Sequence, residues 1–190
     1  MTDRTARTRL LAARQQAAAR AIASEAAFHQ ARVLLLIAAF SGRTRGLRSL
    51  ARMSRLDYLL RFPPVLQYIS LPDAANWPSA ATPLPAERRA TDLAFAASRY
   101  GLWTDRYTLI LGALLGRQLV TVVPGHLLEV ITTSAGRAAA TQLSDTSQWN
   151  RTRLRAEFLH RTLNISAARL DELLRPAIRR LEADTTQAHA

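Results

Sequence analysis

The first 40 residues contain neither glycine nor proline, and their apolar positions recur at helical spacing up to a stop at Ser41-Gly42. The two halves of this stretch differ. Over 1–25, strong helix formers carry only a thin apolar stripe of Leu10, Leu11, Ala18 and Ile22, which predicts a helical extension that projects or docks on a partner. Over 26–40 apolar residues occupy nearly every face, the pattern of a core helix. The basic loop 42–46 leads into a second helix. There Leu47, Leu50, Met53, Leu56, Leu59 and Leu60 recur every three or four residues, with Arg48, Arg52 and Arg55 on the opposite face. Pro63-Pro64 stops it, and a shorter apolar helix around Val65–Ile69 follows.

Residues 71–85 hold Pro72, Pro78, Pro83 and Pro85 among small and polar residues, the composition of a long internal loop. The stretch 86–98 fits a helix or an extended chain equally, and 99–104 reads as a structured turn. Asp105–Arg117 is helical again, with Thr104 as N-cap. The apolar period then falls to two. Two β-prone runs, 119–123 and 127–132, flank Pro124-Gly125-His126, which predicts a hairpin with a wing at its tip. Thr133-Ser134 caps a helix through Leu143, weakened by Gly136 in its first turn, and two helices over 147–163 and 166–183 close the chain, the last capped by Ser166. The predicted class is mainly α with a small β-hairpin. A winged-helix core spans 26–143, preceded by the N-terminal helical extension 1–25 and followed by a C-terminal helical pair within 144–190. That outline alone names no activity.

Composition narrows the class. With 48% hydrophobic residues the 190-residue chain can bury a real core, which excludes a wholly disordered protein. The longest apolar run is the eight residues from Val33 to Phe40, far short of the ~20 that span a bilayer, so no membrane span is expected. The arginine- and alanine-rich start has the composition of a transit peptide as well as of a helix, and the helix is preferred; a signal peptide is not expected, because the apolar run lies too deep in the chain. Cysteine is absent, and His29, His126, His160 and His189 are too far apart to suggest a metal site; no cofactor is expected.

Charge adds a preference for partners. The net charge is +12 and all 26 basic residues are arginine, a usage that a GC-rich genome explains. Its distribution is uneven: twelve arginines face three acids in residues 1–62, leaving +9, against +1 in 63–144 and +2 in 145–190. An excess concentrated in the first third suits a polyanionic or acidic partner. Arg43, Arg45, Arg48, Arg52 and Arg55, with Arg61 beyond them, could neutralise phosphates of double-stranded DNA without reading sequence, meet an acidic protein surface, or line a solvated helix face.

No catalytic constellation is visible. The acids are scattered singly apart from Asp171-Glu172, and no phosphate loop, nucleophile elbow or carboxylate cluster occurs, so the chain is not expected to be an enzyme. His126 at a turn tip reads as a solvated wing residue. Nor does the helix 105–117 resemble a groove reader. Leu109, Ile110, Leu111, Leu114 and Leu115 cover most of its circumference, Gly112, Ala113 and Gly116 fill the remainder, and only Arg106 and Arg117 are basic. A helix this apolar suits protein packing better than base edges. The wing Pro124-Gly125-His126-Leu127 lacks the arginine of a minor-groove finger.

Two segments carry a family resemblance: Leu56-Asp57-Tyr58-Leu59-Leu60-Arg61-Phe62-Pro63, and Arg99-Tyr100-Gly101-Leu102-Trp103-Thr104-Asp105-Arg106-Tyr107. The chain resembles the middle component of bacterial three-component ABC anti-phage systems of the Lamassu type. That family carries a Leu-Asp-aromatic-Leu-Leu-Arg-aromatic-Pro segment after an apolar helix. A Tyr-Gly-Pro-Trp-Asp turn then precedes a helix ending in a Gly-Arg-Gly-Leu-Val stretch and a wing. The first segment matches closely. The second departs at Leu102 for Pro and Thr104 for Asp, and Gly116-Arg117-Gln118-Leu119-Val120 has Gln118 for the later glycine. The resemblance covers roughly 31–143 and weakly the C-terminal helices. It implies a non-catalytic scaffold subunit in the bacterial cytoplasm, joining an SMC-like ATPase to an effector, commonly a nuclease. The runner-up from the fold outline is a winged-helix transcriptional regulator. Within the motifs, Asp57 is expected to pair with Arg61 one helical turn on, so that Asp57, Tyr58 and Arg61 fix the turn at Phe62-Pro63 against the turn at Trp103, a role in folding before binding.

Overall fold

The computed structural model describes residues 24–42, 45–71, 76–88, 106–124 and 128–187, with the backbone alone at 106 and 185–187. Residues 1–23 of the expected extension 1–25, Arg43, Thr104, the turn residues Tyr100, Gly101 and Trp103, the Arg106 side chain and the wing residues Gly125 and His126 lie outside this description. What is described is mainly helical with one small antiparallel sheet of order β1-β3-β2.

Helix α1 covers 24–40, and Val33 to Ile37 are buried all around it, as a helix without a polar face requires. It ends where the Ser41 hydroxyl donates back to the Ile37 carbonyl at 2.8 Å and the Gly42 N–H donates to Arg45 O at 2.7 Å. The next element corrects the helix expected from Leu47. Leu47–Arg48 instead form strand β1, Leu47 opposite Val130 and Arg48 opposite Glu129. Leu47 is buried in either conformation, which is why helical spacing absorbed it. Gly46 makes the strand possible: a Cβ there would lie 2.2 Å from the Val130 carbonyl oxygen. Ser49, at φ 59°, then turns the chain into helix α2, Leu50–Arg61, and its side chain accepts the Arg52 N–H at 3.1 Å.

Pro63–Tyr68 follow as a 3-10 helix opened by two prolines, a position where their missing N–H groups cost nothing. The Pro-rich stretch is a packed segment more than a linker. Its described part has short 3-10 turns at Ser79–Ala81 and Pro85–Arg88, buries Trp77 and Ala81, and the Trp77 indole donates to Pro63 O at 2.7 Å.

Helix α3, Arg106–Gly116, ends as a Schellman motif: Gln118 N–H donates to Leu115 O at 2.8 Å and Leu119 N–H to Leu114 O at 2.9 Å. The residue that must turn left-handed is Gln118, at φ 57°. Strands β2, Val120–Val123, and β3, Glu129–Thr132, pair antiparallel with Val122 opposite Val130, as the alternation predicted. Thr133 caps helix α4, Ser134–Ser144, accepting the Gly136 N–H at 3.0 Å. Gly136 looked like a weakness, and the fold needs it: a Cβ there would stand 1.7 Å from Leu119 O. Helices α5, Ser147–Thr162, and α6, Ala167–Gln187, complete the chain. Helix α6 packs along α2 and the Pro63–Tyr68 turn, so a single apolar cluster runs from Val33 to Leu181.

Candidate functional site

The most deeply buried carboxylate among the described residues is that of Asp57, on the buried side of α2 between Met53 and Leu60. Arg32 of α1 grips both its oxygens, Nε to Oδ1 at 2.6 Å and Nη2 to Oδ2 at 3.0 Å, and the Tyr107 hydroxyl of α3 donates to Oδ2 at 2.6 Å. Burial works against this carboxylate, yet the Arg32 guanidinium and the Tyr107 hydroxyl outweigh it and hold the carboxyl below its usual range. Burial and the same carboxylate push the Tyr107 phenol far above its ordinary value. Behind Arg32, His29 Nδ1 accepts from Nη1 at 3.0 Å while its Nε2 lies 3.3 Å from Glu25. Burial and the Arg32 charge lower the His29 pKa, and the neutral ring with its proton on Nε2 satisfies both contacts.

This network corrects the expected Asp57–Arg61 pair. Arg61 is exposed, stacks over the Phe62 ring at 5.3 Å, and acts on Asp57 only through space. A partner 25 residues away won because only an arginine entering from α1 can bring its whole fork inside the core. The two segments that carry the resemblance do meet, through Tyr107 and Asp57. Both oxygens of Asp57 are engaged, so the cluster is a tie between three helices and offers no spare base.

The arginine series is also drawn into the fold. Arg48 reaches Glu129 Oε2 at 2.9 Å; the Gly46 N–H, 2.6 Å from Oε1, is the largest influence keeping that carboxyl below its usual range. Arg52 donates to Asn164 and lies over the Phe40 ring at 5.2 Å, and burial, with Arg48 nearby, lowers its pKa. Arg55 holds both oxygens of Asp171 on α6, at 3.1 and 3.2 Å. Acid scarce in the local sequence is thus supplied from strand β3 and helix α6. Of the described members, Arg45 and the half-exposed head of Arg48 remain at the surface.

Sequence reasoning missed a second tie. Arg155 of α5 donates to Ala81 O at 2.8 Å, to Thr82 O at 3.2 Å and to both oxygens of Glu87 at 2.9 and 2.8 Å, and so staples the 79–88 stretch to the helical core. Burial opposes the Glu87 charge, but Arg155 and the Leu84 N–H hold the carboxyl below its usual range. Arg155 sits among Trp149, Ala156, Phe158 and Leu159 on α5, and Arg32 among Val33 to Ile37 on α1. An arginine alone among apolar residues was a legible signal for Arg32, whereas Arg155 shares its helix with Arg151 and Arg153 and nothing in the letters marks it as the buried one.

Helix α3 turns Tyr107, Leu111 and Leu114 into the core and leaves its other side open. Leu109 is 72% exposed, Leu115 39%, and nothing lies within 4 Å of where a Cβ would stand at Gly112 or Gly116. The nearly all-round apolar pattern is therefore half core and half surface. Pro124, at the start of the wing, is exposed. Among the described residues no three metal-ligating side chains cluster, and no helix is long and apolar enough to cross a membrane. Compared with family models, curated proteins and solved structures, the chain gives no match.

Proposed function

We propose that this chain is a non-catalytic adaptor subunit of a bacterial cytoplasmic anti-phage complex of the Lamassu type, joining an SMC-like ATPase to a nuclease-type effector. The observation that carries the protein-binding role is the open apolar side of α3, where Leu109 stands out and two glycines let another backbone approach closely. The element order α1-β1-α2-α3-β2-β3 with sheet order β1-β3-β2 supports a winged-helix core, α3 taking the position of the recognition helix. Two further points favour the family. The motif residues Asp57 and Tyr107 bond directly. The position where the family pattern has glycine and this chain has Gln118 adopts the left-handed conformation that glycine prefers.

A transcriptional regulator is disfavoured, because Thr108, Leu109, Gly112 and Leu115 present almost nothing that hydrogen-bonds a base edge. Of the described members of the 43–55 arginine series, Arg45 and Arg48 remain at the surface to meet phosphates of double-stranded DNA. Contact through these two would be independent of sequence and add about −1.8 to the slope of log affinity against log salt.

The deciding experiment asks whether the neighbouring genes encode an SMC-like ATPase and a nuclease-type effector, and whether the chain co-purifies with their products. Leu109→Asp should leave the isolated chain folded and release at least one partner. A fully assembled complex with the aspartate in place would refute the role of α3.

A further inference from the structure

A groove of about 360 Å³ lies between the first half of α1, the end of α3 and the end of α4. Its floor is apolar: Ala31 and Leu34 of α1, Leu114 of α3, Leu119, and Leu143 of α4. Leu34 and Leu114 belong to the core, whereas Ala31, Leu119 and Leu143 are only partly covered. Three polar side chains in the lining make no hydrogen bond or ion pair with any described residue. Two of them, Arg117 and Gln142, stand exposed at the rim. The third, Gln30, is the costly one: its Oε1 is sealed from water and accepts nothing. Thr146 brings a helix start to the same rim. It is the N-cap of the 16-residue α5, yet its hydroxyl donates back to Leu143 O at 2.7 Å and caps nothing. The start of α5 therefore keeps its partial positive charge, beside a groove that Arg117 also lines.

The geometry points to this groove as the docking site for the C-terminus of a protein partner, a chain that ends in a leucine-like residue. Such an end carries three groups within a few bonds of one another: an aliphatic side chain, an N–H and a carboxylate. The side chain matches the floor. Charge complementarity sets the carboxylate on Arg117 and the start of α5. The N–H answers the orphan acceptor of Gln30, after a turn about the last bond of that side chain, its softest torsion. An occupant that supplies this donor is favoured over one that offers apolar surface alone. A nucleic-acid strand is the poorer fit. Its phosphates need a row of cations, and Arg117 is the one charged side chain among the described lining residues.

The inference rests on the reading of the chain as a protein-binding subunit, but its test needs the isolated chain only. The probe is acetyl-Ala-Ala-Ala-Leu with a free carboxylate, titrated by calorimetry. It should bind, and affinity should fall with added salt. The C-terminal amide of the same peptide should bind about tenfold more weakly. Octanoate, which keeps a tail and a carboxylate but has no N–H, should bind about fivefold more weakly. Arg117→Gln breaks no bond to a described residue; it should melt as the wild type does and bind the peptide about tenfold more weakly. Gln30→Leu removes the dry acceptor, and should melt no lower than the wild type while losing about fivefold in affinity. Because the titration needs no other subunit, a chain that binds the peptide yet assembles with no ATPase or effector refutes the adaptor reading alone. Equal affinity for the amide, octanoate binding as tightly as the peptide, unchanged affinity in either variant, displacement of the peptide by pentathymidylate, or no binding at all would each overturn the assignment.

Discussion

Replacing Arg32 by methionine keeps the aliphatic volume inside α1 and removes the guanidinium fork. Asp57 is then left buried with the Tyr107 hydroxyl as its described donor. Breaking one side of a buried ion pair costs about 3–5 kcal/mol, a large part of the ~5–15 kcal/mol that holds a domain together. With a urea slope near ~2 kcal/mol/M, the unfolding midpoint followed by helical circular dichroism should fall by about 1.5–2.5 M. The sign of the pH dependence gives a sharper check. In the wild type the Asp57 carboxyl lies below its unfolded value of about 3.9, so its contribution is complete above that pH and is lost as pH falls through the lowered folded value. Without Arg32, burial dominates and pushes the carboxyl up. The penalty should be greatest at neutral pH and shrink as pH falls towards 5, so the wild-type and variant stabilities converge. Adding Asp57→Leu should recover part of the loss, leaving mainly the lost Tyr107–Asp57 hydrogen bond, worth about 1–3 kcal/mol. A loss below about 1 kcal/mol at pH 7, or a gap independent of pH, would refute the account of the three-helix tie.

Gln118→Gly removes a side chain from a left-handed residue and should stabilise the chain by about 1 kcal/mol, raising Tm by about 2–4 °C in differential scanning calorimetry. Gly136→Ala drives a methyl into Leu119 O and should cost at least about 2 kcal/mol, whereas Gly112→Ala meets open space on a helix and should add about 0.5–1 kcal/mol in urea titrations. Arg155→Met strips partners from Ala81 O, Thr82 O and Glu87, and should cost about 2–4 kcal/mol; limited proteolysis should then cut within 79–88 well before global unfolding.

Helical spacing, the Ser41-Gly42 and Pro63-Pro64 stops and the switch to alternation near Leu119 were enough to place α1, the body of α2, α3, the β2–β3 pair and the three C-terminal helices. These signals are local: each depends on which residues lie three, four or two positions apart. The same sequence left β1, the Arg32–Asp57–Tyr107 tie and the Arg155 staple unread, because each is decided by a partner dozens of residues away. Leu47 carries the spacing of a helix and becomes a strand only because Gly46 lets its backbone reach Val130. Asp57 has an arginine one turn on, yet burial demands a donor that comes inside with it, and Arg32 is the one that does. The apolar circumference of α3 could be read from its letters. Which half faces the core and which half is left for a partner was fixed only when Tyr107, Leu111 and Leu114 packed inward and left Leu109 in water.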